Sequence, residues 1–239
     1  MKKHATFNRR RFLQASATAL VLTNASNFVA AADAKTKIGI IGSGNVGSAL
    51  GRTWAKAGYE VMFASRNLDH DRELARQIGS GAGAGSPKEA AAFGEVILMS
   101  VPYRALPELG KSLAEELKGK VVIDTCNPFP GRDGDIANWA REKGAGLASA
   151  ELLPGARIVR AFNAVGAARM GTAHENPGKI GMPIAGNDKA AIEIASRLIR
   201  VIGYEPVLIG GLEMGKHLMP GTVYAGERTA EELRKIRVE

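Results

Sequence analysis

Three glycines stand in the order G-x-G-x-x-G, as Gly42-Ser43-Gly44-Asn45-Val46-Gly47. The bare string is weak evidence. With 29 glycines in 239 residues, chance alone gives roughly 0.4 such matches, so context must decide. A β-branched run from Lys37 to Ile41 precedes the glycines. Val46, Ala49, Leu50, Trp54 and Ala57 follow at helical spacing, with Gly58 as a stop. In a strand–turn–helix unit each glycine has a separate task. Gly42 permits the sharp turn, Gly44 lets the backbone approach a pyrophosphate, and Gly47 lets the helix lie close to the strand. The loop formed with Ser43, Asn45 and Val46 then offers a helix N-terminus, with free N–H groups and a positive dipole end, to that phosphate. The pattern points to a bound dinucleotide.

The end of the next strand bears on which dinucleotide. An NAD site places Asp or Glu there to hold the ribose hydroxyls. Here the run ends Phe63-Ala64-Ser65-Arg66-Asn67, with no acid to repel a 2′-phosphate. Ser65 can donate one hydrogen bond and Arg66 can form charge-assisted ones, which favours NADP.

These residues need a frame to hold them. Strand-like runs at Lys37–Ile41, Glu60–Ala64, Ala82–Gly85, Val96–Val101, Val121–Thr125 and Arg157–Phe162 alternate with helical stretches. The helices are expected at Asp69–Ile78, Pro87–Phe93, Leu106–Leu117 (broken by Pro107 and Gly110) and Ile136–Lys143. Later come strands Met182–Ala185 and Pro206–Ile209, a helix Asp188–Val201 and a terminal helix from Thr229. This alternation predicts an α/β fold: a Rossmann-type, doubly wound, mainly parallel sheet. Ligands sit at the carboxyl ends of such strands. That places Ser100, Val101 and Pro102, then Asn127 and Pro128, then Asn163 and Val165, in line for the nicotinamide half. Ser100 would line the ribose, Asn127 bond the carboxamide, and Asn163 with Val165 fix the ring face.

The same segments resemble a family, the NADPH-dependent reductases of coenzyme F420. The resemblance runs over nearly the whole chain beyond residue 32. It rests on residues 40–47, Ser65-Arg66, Ser100-Val101-Pro102-Tyr103, Asp124-Thr125-Cys126-Asn127-Pro128, residues 160–165 and residues 183–188. It implies NADPH as cofactor and a small-molecule hydride acceptor, a deazaflavin or flavin, stacked against the nicotinamide. No catalytic side chain is required, because the cofactors carry the chemistry and the protein positions them. Where the family often has a further basic residue after Ser-Arg, this chain has His70 and Arg72. The cytosolic domain of membrane metalloreductases also looks similar. Two other readings stay open: an imine reductase similar to pyrroline-5-carboxylate reductase, and an NADP-binding module without turnover. The strand-like segments that persist to Ile209 disfavour the first. A homodimer is one assembly open to the chain.

Composition narrows the rest. At 45% hydrophobic and 23% charged the chain is globular rather than disordered. One cysteine, Cys126, excludes an intrachain disulfide framework, and is read as a small packed residue rather than a redox thiol. The four histidines lack metal-ligand spacing, so no metal is expected. Asp133 and Asp135 look like a polar turn. Residues 214–219 read as a plain loop.

The first residues read as an export signal. Lys2, Lys3 and Arg9-Arg10-Arg11 precede a weakly apolar stretch, Phe12 to Ala32, that ends Ala30-Ala31-Ala32. The arginine pair with Phe12 and Leu13 resembles the twin-arginine pattern, although Asn8 and Gln14 depart from it. The expected division is a signal over residues 1–32, cut after Ala32, and one reductase domain over 33–239. It implies the twin-arginine export machinery as a partner and a periplasmic location. Taking the signal's five basic residues from 32 leaves 27 against 24 acidic, a net +3. That charge is no footprint for nucleic acid.

Overall fold

The computed structural model describes residues 36–79 and 81–238. The expected signal, its cleavage point and the domain boundary at Asp33 lie outside them. The described residues fall in one compact unit that begins at Thr36. Among them, no helix is long and apolar enough to cross a membrane.

Eight strands form one sheet in the order β3-β2-β1-β4-β5-β6-β7-β8. They are β1 Ile38–Ile41, β2 Val61–Ala64, β3 Ala82–Ala84, β4 Val96–Met99, β5 Val121–Asp124, β6 Arg157–Arg160, β7 Gly181–Gly186 and β8 Glu205–Gly210. The first six run parallel, and the order 3-2-1-4-5-6 is that of a doubly wound dinucleotide fold. The chain reverses at β7, which pairs antiparallel with β6 only at Val159↔Gly186 and Arg160↔Ala185, then runs parallel with β8. Pro183 sits in β7 beyond the short β6 ladder, where its missing N–H costs no bond to that strand.

The central strands are buried on both faces, which is why they read as unbroken apolar runs. One face packs Ile38, Ile40, Val96 and Leu98 against Leu50 and Trp54 of helix α1 (Asn45–Lys56). The other packs Ile97, Met99 and Val122 against Ala91, Tyr103 and Leu106. The Trp54 indole donates to the Leu198 carbonyl at 2.9 Å and ties α1 to the helix Lys189–Ile202. Helix α2 (Leu68–Ile78) is capped by the Asn67 side chain, and α3 (Pro87–Phe93) opens with a capping box of Ser86 and Glu89. The terminal helix, expected over Thr229–Val238, closes at Lys235, behind a capping box of Thr229 and Glu232.

The helical run after β4 breaks at Leu113, not at Pro107 or Gly110, giving α4 (Leu106–Ser112) and α5 (Ala114–Leu117). Pro107 lies in the first turn, where its missing N–H costs nothing. Gly110 is needed for space, since a Cβ there would lie 1.8 Å from the Leu152 carbonyl oxygen. After β5 come α6 (Pro130–Asp133), α7 (Asp135–Lys143) and α8 (Ala145–Leu152). The last went unread in the sequence. It is small, nearly uniform in polarity and two glycines interrupt its start, so no periodicity announces it.

Candidate functional site

The phosphate loop is built as its glycines require. Gly42 has φ +105°, and a Cβ there would lie 2.0 Å from the Ser100 carbonyl oxygen. A Cβ on Gly47 would lie 2.0 Å from the Gly42 carbonyl oxygen, so the helix is locked onto the turn. At Gly44 a Cβ would meet nothing within 4 Å. Gly44 is therefore not demanded by the fold itself, and the space above it is where an incoming group would lie. It is also the N-cap of α1, whose first turn contains no acidic residue. Asn45 and Val46 open the helix, and the first intrahelical bond, Ser48 N–H to Gly44 O, comes at 2.8 Å. The N–H groups of residues 45–47 thus have no intrahelical partner. The arrangement suits an anion.

At the end of β2 the structure departs from the sequence reading. No acid follows the strand directly, but one arrives from the helix behind it. Asp71, in the first turn of α2, is fully buried and accepts hydrogen bonds from Ser43 Oγ and, at 2.8 Å, from Ser65 Oγ. The partly buried Ser65 hydroxyl thus has two acceptors within the protein, Asp71 and, at 3.3 Å, the Asn67 carbonyl. Arg66 is exposed and makes no hydrogen bond or ion pair among the described residues. Of the two further basic residues, Arg72 bonds Asp69 at 3.2 Å, and His70 is exposed. The signal for Asp71 was present: it lies three and four residues before Leu74 and Ala75, on the buried face of α2.

Ser100, Val101 and Pro102 leave β4 on the same edge of the sheet as Gly42, and the Ser100 N–H donates to the Ile41 carbonyl at 2.8 Å. The loops after β5 and β6 are joined to each other. Asn127 Nδ2 donates to the Asn163 carbonyl at 2.9 Å, and Asn127 Oδ1 accepts from Arg160 at 3.5 Å. Asn127 is half-buried, and each end of its amide makes one bond within the protein, which ties the two loops together and leaves one N–H and one lone pair for a ligand. The Asn163 amide is the reverse: the residue is buried, and neither its Nδ2 nor its Oδ1 has a partner among the described residues. A buried amide left in this condition costs about 1–3 kcal/mol, and each such group calls for an explanation. The residue before it supplies another. Phe162 has φ +64°, the one non-glycine in the left-handed region among the described residues. Such a conformation in a bulky residue costs about 1–3 kcal/mol and tends to mark functional sites. It ends β6 at Arg160, two residues sooner than the apolar run suggested. Pro128 and Val165 are buried against this region, and Val101 and Pro102 are half-buried.

Beneath these loops lies a buried ion pair that the sequence reading missed. Arg160 and Asp124 are register partners on β6 and β5, both fully buried, with Nη1 to Oδ2 at 2.6 Å. Arg160 also donates to the carbonyl oxygens of Cys126 at 3.1 Å and Leu218 at 3.3 Å. One guanidinium at the end of β6 thus ties the post-β5 loop to Leu218, the residue that follows the turn Leu212–His217. Gly146 and Gly215 make room for it: a Cβ on Gly215 would lie 2.7 Å from Arg160 Cδ. Cys126 donates its thiol to the Met99 carbonyl at 3.4 Å. Burial, then the Asp124 charge, push that thiol well above its usual range. Asp133, expected in a polar turn, is the last residue of α6. It is buried, and burial alone would raise its pKa. Arg132 and the N–H groups of Phe129 and Arg104 outweigh that and hold the carboxyl below its ordinary range.

Residues 37–128, from β1 to Pro128, match the family described as NADP oxidoreductase coenzyme F420-dependent. An F420-dependent NADP reductase of Methanothermobacter marburgensis is 30% identical over 194 residues, 74% of this chain and 85% of that protein. Metalloreductase STEAP3 of Rattus norvegicus is 29% identical over 182 residues, 76% of this chain, but the chain spans only 35% of that relative's length. Among solved structures, a hypothetical protein from Sinorhizobium meliloti superposes with a TM-score of 0.69 at 25% identity, covering 82% of this chain and 95% of its own.

Proposed function

The chain belongs to the coenzyme F420-dependent NADP oxidoreductase family and is an NADP-dependent oxidoreductase; from this we propose that it passes a hydride between NADP(H) and a deazaflavin or flavin-like acceptor, with coenzyme F420 as the first candidate. The observation that carries the reading is the unpartnered, buried amide of Asn163, on the edge of the sheet that also bears the phosphate loop. The residues present fit the cofactor: an open space over Gly44, an acid-free helix N-terminus, and an amide whose donor and acceptor match those of a nicotinamide carboxamide.

When bound, the dinucleotide supplies the hydride. This chain's residues do the rest. The loop 42–47 holds the pyrophosphate through backbone N–H groups. Ser65 and Arg66 meet the adenosine ribose. Ser100, Val101 and Pro102 wall the nicotinamide side, and Asn163 fixes the carboxamide while Pro128 and Val165 exclude water from the ring. Asn127 and Arg160 keep those walls in place. Hydride transfer between two planar rings needs them stacked at about 3–3.5 Å and asks for positioning rather than a general base. A ferric chelate is a further acceptor to test, given the likeness to a metalloreductase. An imine reductase is disfavoured, because strands continue to Gly210 where that reading requires a long helical region.

The test is stereospecifically deuterated NADPH mixed in turn with coenzyme F420, flavins and ferric chelates. Deuterium on the deazaflavin ring supports the reading. Bound NADPH with no transfer to any acceptor leaves a nucleotide-binding module.

We also propose that residues 1–32 direct export by the twin-arginine route, which carries folded proteins, to the periplasm. Arg9→Lys with Arg10→Lys is then expected to leave full-length protein in the cytoplasm. Normal processing of that variant refutes the route.

A further inference from the structure

Three arginines converge on the loop after β5, and the dinucleotide site uses none of them. Arg104 comes from the turn after β4, Arg132 from α6 and Arg141 from α7. Arg132 donates to the Asn127 carbonyl at 2.8 Å, Arg141 to the Pro128 carbonyl at 3.4 Å, and Arg104 to the Arg132 carbonyl. The buried carboxylate of Asp133 holds the group together. It accepts from the Phe129 N–H at 3.1 Å, the Arg104 N–H at 3.4 Å and the Arg132 guanidinium at 2.7 and 3.0 Å. Three guanidiniums against that one carboxylate leave two net positive charges. Glu108, Asp135 and Glu142, the acids nearest in sequence, form no ion pair with them among the described residues.

All three arginines are exposed, and a guanidinium carries five N–H donors. Arg132 spends Nε and Nη2 and keeps Nη1. Arg104 and Arg141 bond only through Nη1, so Nε and Nη2 of each stay open. Phe129 stands among them, 40% exposed, with the Arg132 guanidinium 5.0 Å from its ring centre. The core does not need that ring. The same loop carries Asn127, which is bonded to the Asn163 carbonyl, so the cluster adjoins the proposed nicotinamide pocket. The phosphate loop follows β1, two strands away in the sheet, and provides separately for the dinucleotide's own phosphates.

We propose that Arg104, Arg132, Arg141 and Phe129 form a subsite for an anionic substituent of the hydride acceptor, a phosphate or carboxylate carried on a chain away from the reacting ring. Arg104 and Arg141 bind the anion through their open N–H groups. Arg132 adds its charge, and Phe129 lies against the stem of the chain. The inference rests on the hydride-transfer reading above and names the class of acceptor: a ring compound with a charged tail, in preference to its neutral parent.

The experiment measures reduction by NADPH of two acceptor pairs. One is flavin mononucleotide against riboflavin, the other coenzyme F420 against the same deazaflavin without its phosphate-bearing chain. Each pair shares the reacting ring and differs in charge. In the pair it reduces, the native protein is expected to show a KM about tenfold or more lower for the charged member. That advantage should shrink as salt rises from about 0.05 to about 0.5 M. Arg104→Gln with Arg141→Gln should raise the KM of the charged acceptor at least about fivefold, leaving the neutral acceptor's KM and the NADPH dissociation constant within about twofold. Arg132 is kept, because it neutralises the buried Asp133. A native advantage below about threefold overturns the proposal, as does a variant that raises both KM values alike or weakens NADPH by the same factor. If the double variant shows no cooperative unfolding transition, the native advantage and its salt dependence decide. If bound NADPH reduces neither ring, the hydride-transfer reading fails and this inference falls with it. That outcome is an absence of turnover, and is told apart from a lost preference.

Discussion

The loop 42–47 offers a sharp test, because two of its glycines are small for different reasons. Gly47 is constrained by the fold: a Cβ there lies 2.0 Å from the Gly42 carbonyl oxygen, a backbone atom that cannot swing aside. Gly44 has no such neighbour within 4 Å, and its φ of −67° and ψ of −164° suit any residue. Gly44→Val is therefore expected to cost the fold only its N-cap preference, about 1 kcal/mol, which shifts the midpoint of thermal unfolding by about 2–4 °C in a chain of this size. The valine methyls would nonetheless fill the approach to the N–H groups of residues 45–47. Each charge-assisted hydrogen bond lost there removes about 1.5–3 kcal/mol of binding, so NADPH should weaken ten- to a hundredfold for a single bond and more for two. Gly47→Ala should behave in the opposite sense. Overpacking of this kind costs about 1–3 kcal/mol or more, and stability should fall clearly. The assay pairs thermal unfolding with NADPH titration by fluorescence for both variants. Gly44→Val binding NADPH within twofold of native would refute the reasoning. So would a Gly44→Val stability loss as large as that of Gly47→Ala.

Two further predictions concern the other half of the site. Asn163→Leu removes an amide that has no protein partner, so unfolding in urea should show unchanged or increased stability while turnover falls at least tenfold; a marked loss of stability would mean that the amide is satisfied within the fold. Arg160→Met leaves Asp124 buried without its counter-ion, which should cost about 3–5 kcal/mol by urea denaturation and loosen the loops after β5 and β6; a loss below about 1 kcal/mol would show that the pair does not organise them.

The elements legible in the sequence were those fixed by short-range chemistry. The β-branched runs gave the strands because strands buried on both faces need no alternation, and their boundaries fall within two residues of those expected. The glycine loop and α1 were legible because a sharp turn needs positive φ and a phosphate needs a bare backbone, both properties of single residues. Thr229 with Glu232, and Ser86 with Pro87, announced helix starts through contacts spanning three residues. Which side chains meet was decided elsewhere. Asp71 reaches Ser43 across 28 residues of chain, Arg160 reaches Asp124 across 36, and Asn127 reaches the Asn163 carbonyl across 36. None of these pairs has a local spacing to reveal it. Whether Ser65 donates outward to a ligand or inward to Asp71 depends on how α2 rotates against β2. Whether the Asn163 amide is left without a partner depends on the parallel register of β5 and β6 and on the positive φ at Phe162. Strand register and helix rotation are set by packing of the whole core, so only the folded sheet determines where these polar atoms point.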